Sequence, residues 1–113
     1  MKEIKAIIQP FMLQDVCDAL SEIKELPGLT VSHVLGFGRT RDTEAPDTDE
    51  SREHSFDKKT KLEIVVGDDL AALVLEVIAR SARTGKAGDG KIFVLDVSDV
   101  VMIRTGDHGP GAL

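Results

Sequence analysis

The sequence predicts an α+β fold of the ferredoxin-like βαββαβ type, an antiparallel four-stranded sheet with two helices on one face. Three observations carry that expectation. Short alternating runs rich in β-branched residues and two longer stripes at helical spacing follow one another in the order βαββαβ. Each helical stripe is apolar along one side only, so each helix has a single face to bury. The last strand, by contrast, is apolar on both sides, with Ile92 and Val94 on one and Phe93, Leu95 and Val97 on the other. Two helices cover one face of a four-stranded sheet, so the second face needs another cover, and self-association is the simplest.

The elements follow in order. Ile4, Ala6 and Ile8 alternate with Lys5 and Ile7 until Pro10 stops the run, which predicts the first strand. Leu13, Val16, Cys17, Leu20 and Ile23 form the first helical stripe, beside Gln14, Asp15, Asp18, Glu22 and Lys24, and Pro27-Gly28 ends it. Residues 29–38 predict the second strand. Thr60 to Val66 predicts the third, with Leu62, Ile64 and Val66 on one side. Asp68 or Asp69 is placed to cap a second helix, whose stripe is Leu70, Leu73, Val74, Val77 and Ile78 and which stops near Thr84-Gly85. Ile92 to Val97 predicts the fourth strand, and Val100 to Arg104 a short fifth. Residues 105–113, rich in glycine, have nothing to pack and are expected to form a mobile tail.

Composition narrows the function classes. At 113 residues the chain is one domain's worth of polypeptide, spanning 1–113. No apolar run approaches the roughly 20 residues that cross a bilayer, so no membrane insertion is expected. The charged, already alternating start reads as strand rather than signal peptide. A single Cys17 excludes an internal disulfide framework, and together these features predict a cytoplasmic protein. Fourteen basic against twenty acidic residues leave a net charge of −6, which argues against nonspecific nucleic-acid binding. With no Trp, no Tyr and four Phe, the core must be aliphatic, and an aromatic platform for base stacking is missing.

Two segments stand out chemically. Residues 39–59 are a polar stretch far longer than a hairpin loop, with Phe56 its only large apolar side chain. It reads either as a disordered insertion or as a loop ordered by a ligand or partner. Thr84-Gly85-Lys86-Ala87-Gly88-Asp89-Gly90-Lys91 packs three glycines into six residues between two lysines. Such a run lets backbone N–H groups converge on an anion, although a plain helix-to-strand connection accounts for it equally well. Its spacing is not that of a Walker A loop. Arg104 adds a second charged fork if the last strand runs past this loop. His33, His54 and His108 form no pair at metal-ligand spacing, Cys17 reads as a buried structural thiol, and no catalytic triad is proposed.

Taken together, Ile4-Lys5-Ala6-Ile7-Ile8-Gln9-Pro10-Phe11, Val34-Leu35-Gly36-Phe37-Gly38-Arg39, Lys61-Leu62-Glu63-Ile64-Val65-Val66, the glycine-rich segment running on to Val94, and Ile103-Arg104-Thr105-Gly106 resemble the PII signal-transduction, or nitrogen regulatory, family. The resemblance covers nearly the whole chain. It implies a homotrimer of ferredoxin-like domains with inward-facing sheets, ATP or ADP in the three clefts between subunits, and a long T-loop that touches targets. By position, Gly36, Phe37, Gly38 and Arg39 match the nucleotide cleft and the T-loop base, with Val65 in the same cleft. Gly88, Asp89, Gly90 and Lys91 match the phosphate-binding B-loop, Arg104 matches a phosphate-binding arginine, and Lys59 matches a lysine that pairs with 2-oxoglutarate.

Three positions depart from the family pattern. Thr40 stands where a glutamine ligates magnesium and supports 2-oxoglutarate, Arg52 where some members carry a uridylylated tyrosine, and Met102 where a second phosphate-binding arginine is usual. The resemblance therefore implies a regulator that binds adenine nucleotide and controls a target protein (a transporter, enzyme or regulator) through its T-loop, with altered nitrogen sensing. Two alternatives stay open. One is a metal- or other small-molecule-responsive PII-like sensor using His54 and loop carboxylates. The other is a slow ATPase, against which no side chain stands out as a water-activating base.

Overall fold

The structure, a computed structural model, describes residues 1–38 and 55–113. Alternation decides the sheet. Strand β1 (Lys2–Ile8) turns Ile4, Ala6 and Ile8 to the interior, and β3 (Asp57–Val66) turns Thr60, Leu62, Ile64 and Val66 the same way. Strand β2 (Thr30–Gly36) lies outside β3, and β4 (Lys91–Asp96) lies outside β1. The order is β2-β3-β1-β4 with every neighbouring pair antiparallel, which is the ferredoxin-like sheet. Helix α1 (Leu13–Leu20) and helix α2 (Asp68–Ser81) bring Val16, Leu20, Val74, Val77 and Ile78 into one aliphatic core with the inward strand residues.

The register explains why this core stops short of β4. Ile4 pairs with Ile64 on one side and Val94 on the other, and Ala6 with Leu62 and Ile92. Ile92 packs against the core, whereas Val94 at the sheet edge is 47% exposed. The opposite face is mixed rather than uniformly apolar. Phe93 and Leu95 are exposed there, but Lys5 pairs with both Phe93 and Glu63, and Lys61 Nζ lies 3.4 Å from Glu63. A cover for this face has to match charge as well as exclude water.

Several boundaries are corrected. Helix α1 ends at Leu20, and Ile23 packs on the core from the turns that follow. Gly67 is the N-cap of α2, so Asp68 and Asp69 lie in its first turn. There they complement the helix dipole, and Asp68 meets the Met1 ammonium at 2.9 Å. The helix closes at Ser81, whose hydroxyl donates to the Val77 carbonyl at 2.6 Å, before Thr84-Gly85 is reached. Strand β3 begins at Asp57, so residues 57–59 are sheet rather than loop. In place of a fifth strand there is one bridge, Val101 with His108, closing a turn through Met102 N–H to the Asp107 carbonyl at 2.9 Å. The tail does find packing: residues Pro110–Ala112 make a 3₁₀ turn and Ala112 is buried.

Candidate functional site

Between α2 and β4 the chain must reverse over the end of β1, and glycine makes that possible. Gly85, Gly88 and Gly90 have φ of 86°, 94° and 100°, a region that other residues enter only with strain. At Gly90 the constraint is absolute, since a Cβ would stand 1.7 Å from the Ile7 carbonyl oxygen. At Gly88 a Cβ would stand 2.9 Å from Gln9 Nε2. The backbone here runs directly under donor-bearing side chains.

The loop is tied in two ways. Lys59 Nζ donates to the Gly88 carbonyl at 2.7 Å. The Asp89 carboxylate accepts from the N–H of Thr84 and of Gly85, both at 2.9 Å, and from the Thr84 hydroxyl. The Thr84 hydroxyl bond, reinforced by those two N–H groups, holds the Asp89 carboxyl below the usual carboxylate range. The N–H groups of Ala87, Gly88 and Asp89 have no hydrogen-bond partner among the described residues. Successive free amides around a glycine of positive φ form an anion-binding concavity. Beside it lies a cavity of about 290 Å³ lined by Ile7, Ile8, Ala79, Ala82, Arg83, Asp89, Gly90, Lys91 and Ile92. Lys59, Arg83 and Lys91 lie close to this loop, and the carboxylate within the loop is satisfied by the loop's own donors, so the concavity favours anions.

Gly36 and Phe37 join the same end. Gly36 pairs with Asp57, and a Cβ there would be 3.2 Å from Lys59 Cγ, so glycine lets the lysine stem cross the strand end. Phe37 and Phe56 meet with ring centroids 5.9 Å apart, joining the two stems that lead into residues 39–54. Gly38 follows with open space around it. Arg39, Thr40, Arg52 and His54 lie outside the described residues.

Val65 and Arg104 belong to the other end. Val65 pairs with Glu3, and β4 runs away from the glycine loop to finish with Asp96 opposite Lys2. The last strand does not run past the loop, so within one chain Arg104 does not join it. Val65 instead shares a second cavity, about 590 Å³, with Glu3, Pro27, Gly28, Leu29, Thr30, Glu63, Val100, Ala112 and Leu113. Arg104 sits on the exposed turn that springs from Val100.

Sequence reasoning missed the part played by Thr84 and Gln9. The signal for Thr84 was present, a hydroxyl just before the glycine run and a carboxylate inside it five residues on; Gln9 becomes visible only when β1 and the loop are brought together in space. Cys17 is half-buried rather than buried, and burial pushes its thiol pKa up, as for a packing residue. Among the described residues no group of three or more His, Cys, Asp and Glu side chains could hold a metal ion, and no helix is long and apolar enough to cross a membrane.

Comparison with known proteins agrees with this layout. The family model described as nitrogen regulatory protein P-II matches residues 1–107. Nitrogen regulatory protein P-II 1 of Escherichia coli (strain K12) is 46% identical over 113 residues, the whole of both chains. Nitrogen regulatory protein P-II of Bradyrhizobium diazoefficiens is 43% identical, again over the whole of both. A crystal structure of Arabidopsis thaliana PII bound to citrate is similar with a TM-score of 0.80 and 43% identity, covering 99% of this chain and 91% of that one. A family-model match over residues 1–107, with relatives 43–46% identical over the whole chain and a solved fold similar at a TM-score of 0.80, makes the chain a member of the nitrogen regulatory protein P-II family of signalling regulators.

Proposed function

We propose that the chain acts as a homotrimer that binds ATP or ADP between subunits and controls a target protein through the loop at residues 39–56. One observation carries this reading. The free amides, Lys59 and Lys91 gather at one end of the sheet, while Val65 and Arg104 stand at the other. A cleft using both sets has to be built from two copies, and closed cyclic symmetry supplies such clefts without an open filament. The Arabidopsis relative bound to citrate supports a scaffold that receives small polyanions.

In this reading the chain is a binding protein, not a catalyst. The nucleotide biases the arrangement of the loop, whose stems meet at Phe37 and Phe56, and a partner reads the result. Magnesium chelation by 2-oxoglutarate is disfavoured, because Thr40 offers a hydroxyl with shorter reach than a glutamine amide and magnesium tolerates little departure from octahedral geometry. Lys59, held by Gly88, then gives an effector carboxylate one contact without a metal at its other end.

The test is complementation between subunits. Light scattering gives a trimer mass, and calorimetry with ATP or ADP gives binding that Lys91→Ala and Arg104→Ala each weaken about ten- to a hundredfold. Trimers reassembled from the two variants together recover wild-type affinity at one cleft each. A stable monomer, no nucleotide heat, or mixed trimers no better than their parents would each refute the reading.

A further inference from the structure

An anion cradle with a carboxylate built into it poses a contradiction. Asp89 lies between Gly88 and Gly90, inside the run whose free amides face an incoming anion, and a bare carboxylate there would repel phosphate. Its position in the run makes it a natural candidate for a ligand contact. Its bonding says otherwise. One carboxylate oxygen accepts from the Thr84 hydroxyl, and the other accepts from two backbone amides, Thr84 and Gly85. Both oxygens are therefore occupied by the chain itself. The Thr84 hydroxyl oxygen also accepts from the Lys86 N–H at 3.2 Å, so it bridges the carboxylate to the next residue of the loop.

We infer that Asp89 and Thr84 form a lasso that holds the glycine loop in its anion-binding shape, making both positioning residues that do not touch the nucleotide. This rests on the nucleotide reading for its effect on binding, although the lasso itself is defined by contacts within the chain. The logic is one of sorting amides. Thr84, Gly85 and Lys86 spend their N–H groups inside the loop, on Asp89 and on the Thr84 hydroxyl. Ala87, Gly88 and Asp89, the next three, leave theirs unspent among the described residues. On the far side Lys59 takes the Gly88 carbonyl, which fixes the peptide plane between Gly88 and Asp89. The loop is thus pinned at its start by Asp89 and at its middle by Lys59, and the free amides lie between and beside those pins. Pre-paid ordering of this kind raises affinity without adding a contact to the ligand. It also neutralises the one acid in the cradle, since a carboxylate accepting three donors presents less negative charge to an approaching phosphate.

The lasso predicts a pattern that a direct contact does not. If Asp89 met the ribose or base, its loss would weaken ATP and spare an inorganic polyphosphate. If it shapes the phosphate cradle, both ligands suffer alike. The experiment measures ATP and inorganic tripolyphosphate affinities of the full-length wild type, Asp89→Asn, Thr84→Val, Thr84→Ser and the Asp89→Asn/Thr84→Val double variant. Amide exchange of Gly85 is followed in each without ligand. Asp89→Asn and Thr84→Val each lose about tenfold for both ligands, the double variant loses no more than either alone, and Thr84→Ser stays within about twofold of wild type. Gly85 exchanges about tenfold faster in the first two variants and at the wild-type rate in Thr84→Ser. A loss confined to ATP, additive losses in the double variant, or an unchanged Gly85 amide would overturn the inference. Wild type binding neither ligand would sink the nucleotide reading instead, and the Gly85 exchange rates would still decide whether the lasso exists.

Discussion

The two ends of this sheet are built on different principles. At the loop end, Gly85 to Lys91 is locked by contacts with little room to adjust: a backbone crossing at Gly90 that admits no side chain, a lysine on the Gly88 carbonyl, and a carboxylate accepting three donors. At the tail end, the turn bearing Arg104 is closed by three backbone bonds, two of which make the Val101–His108 bridge, and by a half-exposed contact of 2.7 Å from His108 Nδ1 to Asp99. Ile103, beside Arg104, is 98% exposed. The first end holds its backbone shape with side-chain anchors partly buried in the same chain, while the second is held by fewer and more exposed contacts. In the proposed cleft of two copies, the more tightly held half would supply the shape and the looser half would close on it.

The sharpest way to break this contrast is to add one methyl group at equivalent kinds of glycine. Gly90→Ala puts a Cβ 1.7 Å from the Ile7 carbonyl on a backbone of φ 100°. Neither partner is a flexible side-chain tip, so the loop must leave β1. Destabilisation of several kcal/mol and loss of detectable nucleotide binding are expected by thermal unfolding and calorimetry. Gly106→Ala, with φ 76° but open space around it, carries only the conformational penalty of about 1–2 kcal/mol. Equal costs at the two sites would remove the distinction between the ends.

Lys59→Met sharpens the comparison at intermediate size. It keeps the stem that crosses Gly36 but deletes the donor to the Gly88 carbonyl. A part-buried charge-assisted bond is lost, costing roughly 1 kcal/mol of stability, with faster amide exchange in the loop and none at the tail. Smaller still, Thr60→Val at the same end removes a fully buried hydroxyl that has no partner among the described residues, so a gain of about 1 kcal/mol is expected in denaturant unfolding.

Much of this organisation was legible in the sequence because it follows from periodicity. Ile4, Ala6 and Ile8 had to share a face, as did Leu62, Ile64 and Val66, and two one-sided helices had to lie over them. The glycine-rich segment was legible as a tight reversal between helix and strand, since three glycines in six residues free the backbone to turn, but the residues alone left a plain connection and an anion loop equally open. What periodicity does not encode is where chain ends meet. That Asp57 to Lys59 belong to β3 depends on pairing with β2, not on their own polar character. Nor did the mixed charge of the open face show, because Lys5 and Glu63 become neighbours only through register. Arg104 follows the same rule: spacing along the chain placed it near the glycine loop only conditionally, and the antiparallel course of β4 carries it to the opposite end.

The partners of two carboxylates separate the two ends most finely. Asp89 and Asp99 both titrate below the usual carboxylate range, the first held down chiefly by the Thr84 hydroxyl, the second chiefly by its hydrogen bond to His108. A carboxyl depressed by folding contributes stability that is present above its unfolded value of about 4 and is lost as pH falls through the folded one. Both closures therefore weaken together in strong acid. They differ in what holds them. A hydroxyl and two amides donate to Asp89, whereas an exposed imidazole and the Val100 N–H meet Asp99. His108→Ala removes the chief partner of Asp99 and leaves every donor to Asp89 in place. Protection factors of Gly109, whose amide closes the turn on the Val100 carbonyl, should therefore fall in that variant, while those of Gly85 hold steady. Because both groups of the tail contact are largely exposed, the change is small. A fall of equal size at Gly85 would show that the two closures are not independent and would remove the contrast between the ends.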